Sequence, residues 1–147
     1  MAQGFKGRCF CGDVKYTVTE EPIAFVVCHC TDCQYASGGG PAHIQVVPKD
    51  SLKIDDASKR ITDYSSKADS GRLVTRHFCS RCGTPMFETL EVDPSIRLVK
   101  SGTMDDASKL KVDATVYTAS AQPWAHIDRT TQLFERDLVF PFERKGG

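Results

Sequence analysis

The seven cysteines of this chain fall in three tight clusters, and none lies outside them. They read Cys9-Phe10-Cys11-Gly12, Cys28-His29-Cys30-Thr31-Asp32-Cys33 and Cys79-Ser80-Arg81-Cys82-Gly83. An odd count cannot close into intrachain disulfides alone. Zinc accounts for the partition. A structural zinc takes four ligands in a closed tetrahedron, whereas a catalytic zinc keeps three protein ligands and one open position. The two pairs, Cys9 with Cys11 and Cys79 with Cys82, make one closed site. The triplet Cys28, Cys30 and Cys33 makes one open site. Any fold must then bring the first and third clusters together across most of the intervening chain.

A length of 147 residues suits one domain over 1–147, and 40% hydrophobic residues are enough for a core that does not need metal merely because the chain is small. Nineteen basic and nineteen acidic residues balance, which gives no electrostatic argument for nucleic acid or an anionic membrane. Thiolates carrying zinc make the loaded chain net negative, which disfavours nucleic acid further. No apolar run reaches the length of a membrane span. The start, Met1-Ala2-Gln3-Gly4-Phe5-Lys6, lacks a signal-peptide hydrophobic region. The expectation is a cytoplasmic protein, where thiols stay reduced and clustered cysteines favour metal.

Period-two alternation dominates the rest. Val14, Tyr16 and Val18 share a face, the Ile23–Val27 run leads into the triplet, and Ile44/Val46 and Leu52/Ile54 alternate. Further strands are expected between Leu73 and Phe78, through Met86, Phe87 and Leu90, over Ile96–Val99 and over Ala114–Ala119. Short strands separated by Gly, Pro, Asp and Ser predict an all-β domain with little helix. One helical turn is expected over Thr31–Ala36, capped by Thr31 or Asp32, and a second helix over 128–136. Gly146-Gly147 reads as a tail.

Cys79-x-x-Cys82-Gly83 has the form of a zinc knuckle, and Cys9-x-Cys11-Gly12 repeats the trailing glycine after a shorter spacing. Arg8 and Arg81 stand beside these thiols and can offset the charge of a tetrathiolate. At the open site His29 lies between two ligating residues, so its side chain should point away and bury against the sheet or support the ligands from behind. An open zinc binds water or a thiol. A bound thiol becomes a thiolate, for which an aldehyde carbon is a suitable electrophile. Ser37-Gly38-Gly39-Gly40 reads either as an anion-binding nest of amides or as a flexible turn. No Lys or Arg occurs from Tyr16 to Pro48, so a substrate carboxylate would need those amides or Arg72, Arg76 or Lys100. Trp124, the single tryptophan, is expected to serve packing. Asp105 and Asp106 are candidates for a general base or for an exposed turn.

The run Gly7-Arg8-Cys9-Phe10-Cys11-Gly12-Asp13-Val14-Lys15-Tyr16, the triplet with its following Ser37-Gly38, and Phe78-Cys79-x-x-Cys82-Gly83 resemble the glutathione-dependent formaldehyde-activating enzyme family. Ser101-Gly102-Thr103-Met104-Asp105-Asp106 and Val116-Tyr117-Thr118 followed by Pro123-Trp124 agree with that likeness. The resemblance implies a zinc-stapled β-tent. In it Cys9, Cys11, Cys79 and Cys82 hold a structural zinc, and Cys28, Cys30 and Cys33 hold a second, functional zinc. It implies addition of glutathione, as co-substrate, to formaldehyde to give S-hydroxymethylglutathione, a carbon–sulfur lyase in reverse. The partners would be a small-molecule thiol and an aldehyde. Where that family often has a basic residue after the third cysteine, this chain has Gln34-Tyr35. Two other readings stand beside it. One is a non-catalytic zinc-binding module presenting loops to a protein partner. The other is a dithiol redox sensor at Cys30-x-x-Cys33, although the βαβ surroundings of such motifs are missing.

Overall fold

A computed structural model describes residues 3–68 and 71–138. The expected tail at Gly146-Gly147 lies outside them. Eleven strands and one α-helix are described, in two sheets. The smaller sheet pairs β1 (Phe5–Arg8), β2 (Lys15–Val18) and β5 (Leu52–Asp55) in antiparallel fashion. The larger joins β3 (Ala24–Cys28), β4 (Ala42–Pro48), β6 (Ile61–Lys67), β7 (Leu73–Cys79), β8 (Pro85–Leu90), β9 (Ile96–Lys100), β10 (Ala114–Val116) and β11 (Gln132–Leu133), in the order β11-β10-β3-β4-β9-β8-β7-β6. Its pairs are antiparallel except β10 with β3 and with β11. The domain is mainly β, as the alternation predicts.

Alternating side chains divide the interior into two cores. In one, Val14, just before β2, and Tyr16 and Val18 of the small sheet meet Val47, Met86 and Val99 of the large sheet, with Cys9 and Cys79 among them. The other gathers Ala24, Val26, Ala42, Ile44 and Val116 around Cys28 and Cys33. Each thiol cluster thus sits in its own apolar surroundings.

Four features depart from the sequence expectations. β1 and β6 are additional strands. β6 lies at the sheet edge and exposes Thr62, Asp63, Tyr64 and Ser65 in succession, so it carries no inward apolar face to betray it. The expected strand over Ala114–Ala119 stops at Val116, because Tyr117 turns left-handed (φ 57°, ψ 40°) and opens a 3₁₀ turn over Thr118–Ser120. The segment 128–136 is not helical. Asp128 accepts from the Thr130 amide and hydroxyl in a side-chain turn, and Gln132–Leu133 then pairs with β10. Local side-chain acceptors compete with helix at such positions. Finally, the single helix α1 (Thr31–Ser37) is capped by Cys30 rather than by Thr31 or Asp32.

Candidate metal centres and the adjoining cavity

The two paired clusters form near-equivalent turns. Cys9 follows β1 and donates its amide to the Val14 carbonyl (3.0 Å). Cys79 ends β7 and donates to the Thr84 carbonyl (3.0 Å). Inside each turn a glycine amide returns to the first cysteine's carbonyl, Gly12 to Cys9 (3.1 Å) and Gly83 to Cys79 (2.8 Å). Both glycines have positive φ, 82° and 77°, which a side chain would strain. The sequence signal of a trailing glycine was therefore physical. Thr84 ties the turns together, accepting the Phe10 amide (3.0 Å) while its hydroxyl lies 3.1 Å from Cys82 Sγ.

The sulfurs of Cys9, Cys11, Cys79 and Cys82 all lie within 4.8 Å of one another. Cys9 Sγ is 3.6 Å from Cys11 Sγ, which is 3.9 Å from Cys79 Sγ. Ligands about 2.3 Å from a tetrahedral zinc stand roughly 3.8 Å apart, so the donor set fits such an ion. The Val14 amide donates to Cys9 Sγ (3.3 Å), a bond suited to a thiolate. Of the two arginines, Arg8 caps the Cys9 and Phe10 carbonyls (3.0 and 2.9 Å). Arg81 pairs with Asp13 (3.2 Å), and its guanidinium is also held charged by Cys11. Arg60 joins the same carboxylate (2.9 Å). Its hydrogen bond, followed by the charge of Arg81, holds the Asp13 carboxyl below the usual range.

The triplet converges as well. Cys28 closes β3, Cys30 is the helix N-cap and Cys33 lies in α1, and their sulfurs are mutually within 4.8 Å. The Cys33 amide donates to Cys30 Sγ (3.3 Å), so one sulfur serves both cap and cluster. Cys30 is the thiol drawn down, first by hydrogen bonding from Cys28, then from Cys33 and its amide, with the charge of Arg76 adding to the pull. Cys28 is pushed up by the same contact with Cys30. Negative charge on one sulfur thus opposes charge on its neighbours, and a bound cation would relieve that opposition.

His29 behaves as its position predicts. It is buried outside the sulfur cluster, its amide bonds the Val116 carbonyl (3.0 Å), and burial depresses its pKa. Gln34, standing where a basic residue might be expected, clamps α1 to the loop after β10. Its side-chain amide donates to the carbonyls of His29 (2.8 Å) and Ser120 (3.0 Å), and its carbonyl accepts from Gln122 (2.9 Å). The nest reading of Ser37–Gly40 fails in part. The Gly38 and Gly39 amides cap α1 by donating to Tyr35 and Gln34, and the Ser37 hydroxyl donates to Gly40. Asp105 and Asp106 are exposed, and Asp106 accepts from Ser108 in a local turn. Trp124 does not pack. It is 79% exposed, because Val116 ends the strand and the following segment runs over the surface. As the single tryptophan it gives a clean optical check. Its emission is expected near that of free indole, with acrylamide quenching almost as efficient as for free tryptophan. A blue-shifted, protected emission would contradict this placement.

A cavity of about 150 Å³ adjoins all three sulfurs of the triplet. The other walls include Ile44, Leu73, Val74, Leu90, Val92 and Leu98, with Arg72, Arg76, Glu88 and Tyr117. Of the basic candidates, Arg72 and Arg76 line this cavity. Lys100 instead reaches Glu88, 2.8 Å away, and Arg76 Nε lies 3.3 Å from the other Glu88 oxygen. Sequence reasoning overlooked Glu88 and put Tyr117 within a strand instead of at a left-handed turn beside the cavity. For Glu88 the signal was available: it stands two residues from Met86 on the inward face of β8. For a tyrosine with positive φ there was none.

The family model for "Glutathione-dependent formaldehyde-activating enzyme" matches residues 4–120. A Halomonas elongata protein named "Putative glutathione-dependent formaldehyde-activating enzyme" is 29% identical over 86 residues, which cover 56% of this chain and 54% of the relative. The chain thus matches about half the length of that relative. In fold it is similar to a crystal structure of a Rhodobacter sphaeroides protein, with a TM-score of 0.57 at 19% identity over 71% of this chain and 91% of the other. With two thiol clusters set in a two-sheet β domain and a family match over most of its length, the chain belongs to the glutathione-dependent formaldehyde-activating enzyme family.

Proposed function

We propose that this protein joins a small thiol, glutathione in the first instance, to formaldehyde or another small aldehyde. With formaldehyde the product is S-hydroxymethylglutathione, and the reverse reaction is that of a carbon–sulfur lyase. The observation that carries this reading is the convergence of Cys28, Cys30 and Cys33 on one wall of an open cavity. Cys9, Cys11, Cys79 and Cys82 supply four donors beside the first core, which supports a saturated structural zinc site there. The relative's printed name supports the choice of thiol and aldehyde.

Zinc held by the three thiolates would supply an open Lewis-acidic position at which an incoming thiol loses its proton. The chain's own groups do the rest. Strand β3 and helix α1 fix the sulfurs on rigid elements, and Gln34 locks α1 against the following loop. Among the acidic and basic groups of the lining, Arg72 and Arg76, the latter beside Glu88, are those that can favour negative charge growing on an aldehyde oxygen. The aliphatic walls exclude water and strengthen that attraction. Reduced thiols and clustered metal suit the cytoplasm.

Metal analysis of untreated protein should give about two zinc ions per chain, and Cys30→Ser should give about one. Adduct formation between glutathione and formaldehyde, followed by NMR exchange, should exceed the spontaneous rate only with the parent protein. No acceleration and no glutathione binding by metal-replete protein would remove this assignment.

A further inference from the structure

The walls of the cavity carry information about the substrate beyond the family reaction. Formaldehyde has no side chain and needs no apolar surface. Six aliphatic residues nevertheless face the space beside the triplet: Ile44 from β4, Leu73 and Val74 from β7, Leu90 and Val92 from the end of β8 and the turn after it, and Leu98 from β9. Of the lining residues, Arg72, Asp137 and Val92 are exposed, Asp32, Leu73, Val74, Leu90 and Leu98 are half-buried, and Ile44 is buried, as is Glu88 beside its partner Arg76. The lining is thus mainly hydrocarbon, with the Arg76–Glu88 ion pair set into it and Arg72 and Asp137 on its outer side.

Size limits the occupant further. About 150 Å³ lies below the roughly 300 Å³ at which pockets for drug-sized ligands begin. A whole tripeptide does not fit, and its carboxylates would lose hydration against aliphatic walls. An apolar cavity of about this volume does take a guest of about six carbons.

We propose that this cavity receives the hydrocarbon tail of an aliphatic aldehyde of about five or six carbons, with its carbonyl at the Cys28–Cys30–Cys33 cluster and the charged part of the thiol on the outer side, by Arg72 and Asp137. This rests on the thiol–aldehyde reading above and specifies its electrophile. The thiol sulfur forms a bond to the carbonyl carbon, the carbon–oxygen π pair moves to oxygen, and the proton released by the thiol ends on that oxygen. The product is a hemithioacetal, and nothing is oxidised or reduced.

The test uses the protein as purified, with glutathione and straight-chain aldehydes of increasing length. Acceleration over the spontaneous exchange should rise about fourfold per added methylene and level off near five or six carbons. A second readout needs no turnover. In saturation-transfer NMR the methyl of 1-pentanol should receive magnetisation from the protein, and methanol should not. Val92 is 53% exposed, so Val92→Asp should fold while placing a charge in the lining. It should abolish the pentanol signal and lower the pentanal-to-formaldehyde rate ratio at least tenfold. Formaldehyde turnover with no chain-length dependence, or no contact with pentanol, overturns the proposal and leaves the family reaction standing. Absence of acceleration with every aldehyde overturns the thiol–aldehyde reading itself, and this proposal with it.

Discussion

Cys79→Ser is expected to lower the melting temperature by about 10–20 °C or to prevent folding, and a chelator should do the same to the parent protein. Cys79 is fully buried at the meeting point of the two sheets. Its cluster is the only sulfur bridge between the β1–β2 turn and the β7–β8 turn among the described residues. Structural zinc contributes roughly 10–16 kcal/mol in small zinc-dependent domains, against a total domain stability of about 5–15 kcal/mol. Here the sheets share a core, so the loss is partial. A deficit of about 5 kcal/mol corresponds to the shift stated for a chain of this size. Serine adds to it by leaving a hydroxyl in place of a thiolate in an apolar site. Thermal denaturation with metal analysis checks this. Cys11→Ser, at a less buried member of the same cluster, should show a similar loss of metal. Cys30→Ser should remove one zinc with a much smaller change in melting temperature. If chelation left the melting curve unmoved, the four sulfurs would not be a staple.

The convergence of the cysteines into two groups was legible in the amino-acid sequence, because metal ligation imposes spacing. Two thiols around a turn with a trailing glycine define a knuckle locally, whatever the rest of the chain does. The buried strands were legible for a similar reason, since Val14, Tyr16 and Val18 alternate against one core. Strand β6 was not, because an edge strand can be polar on both faces. Nor was the placement of Trp124, where burial preference for tryptophan argued for a core that the loop never enters. The cavity was hidden for a different reason. Its walls come from four strands distant in sequence, and no local pattern marks Leu73, Leu90 and Leu98 as neighbours of Cys30. Only the register of β4, β7, β8 and β9 puts them there.

Glu88→Gln is expected to cost about 3–5 kcal/mol, the usual penalty for removing one partner of a buried ion pair. Glu88 carries 3% side-chain exposure and serves two cations, Lys100 at 2.8 Å and Arg76 at 3.3 Å, which are themselves 14% and 17% exposed. The Arg76 Nε–H is not aligned for a hydrogen bond to the carboxylate, so their attraction is mainly that of opposite charges. Without the carboxylate charge, both cations remain in a poorly hydrated wall. Replacing all three residues together, as Arg76→Met, Glu88→Leu and Lys100→Met, should return most of the stability, since an apolar core often does as well as a buried ionic one. It should not return function. Arg76 is the cation whose charge helps draw a proton from Cys30, and it lines the cavity with the triplet. The triple variant should therefore melt near the parent yet bind the second zinc more weakly, and the thiol–aldehyde reaction should fall at least tenfold. Denaturation curves and metal titration separate the two effects. A Glu88→Gln protein that melts within a degree or two of the parent would mean that water reaches the triad. Parent-like metal binding and turnover in the triple variant would show that Arg76 does nothing for the sulfurs beside it.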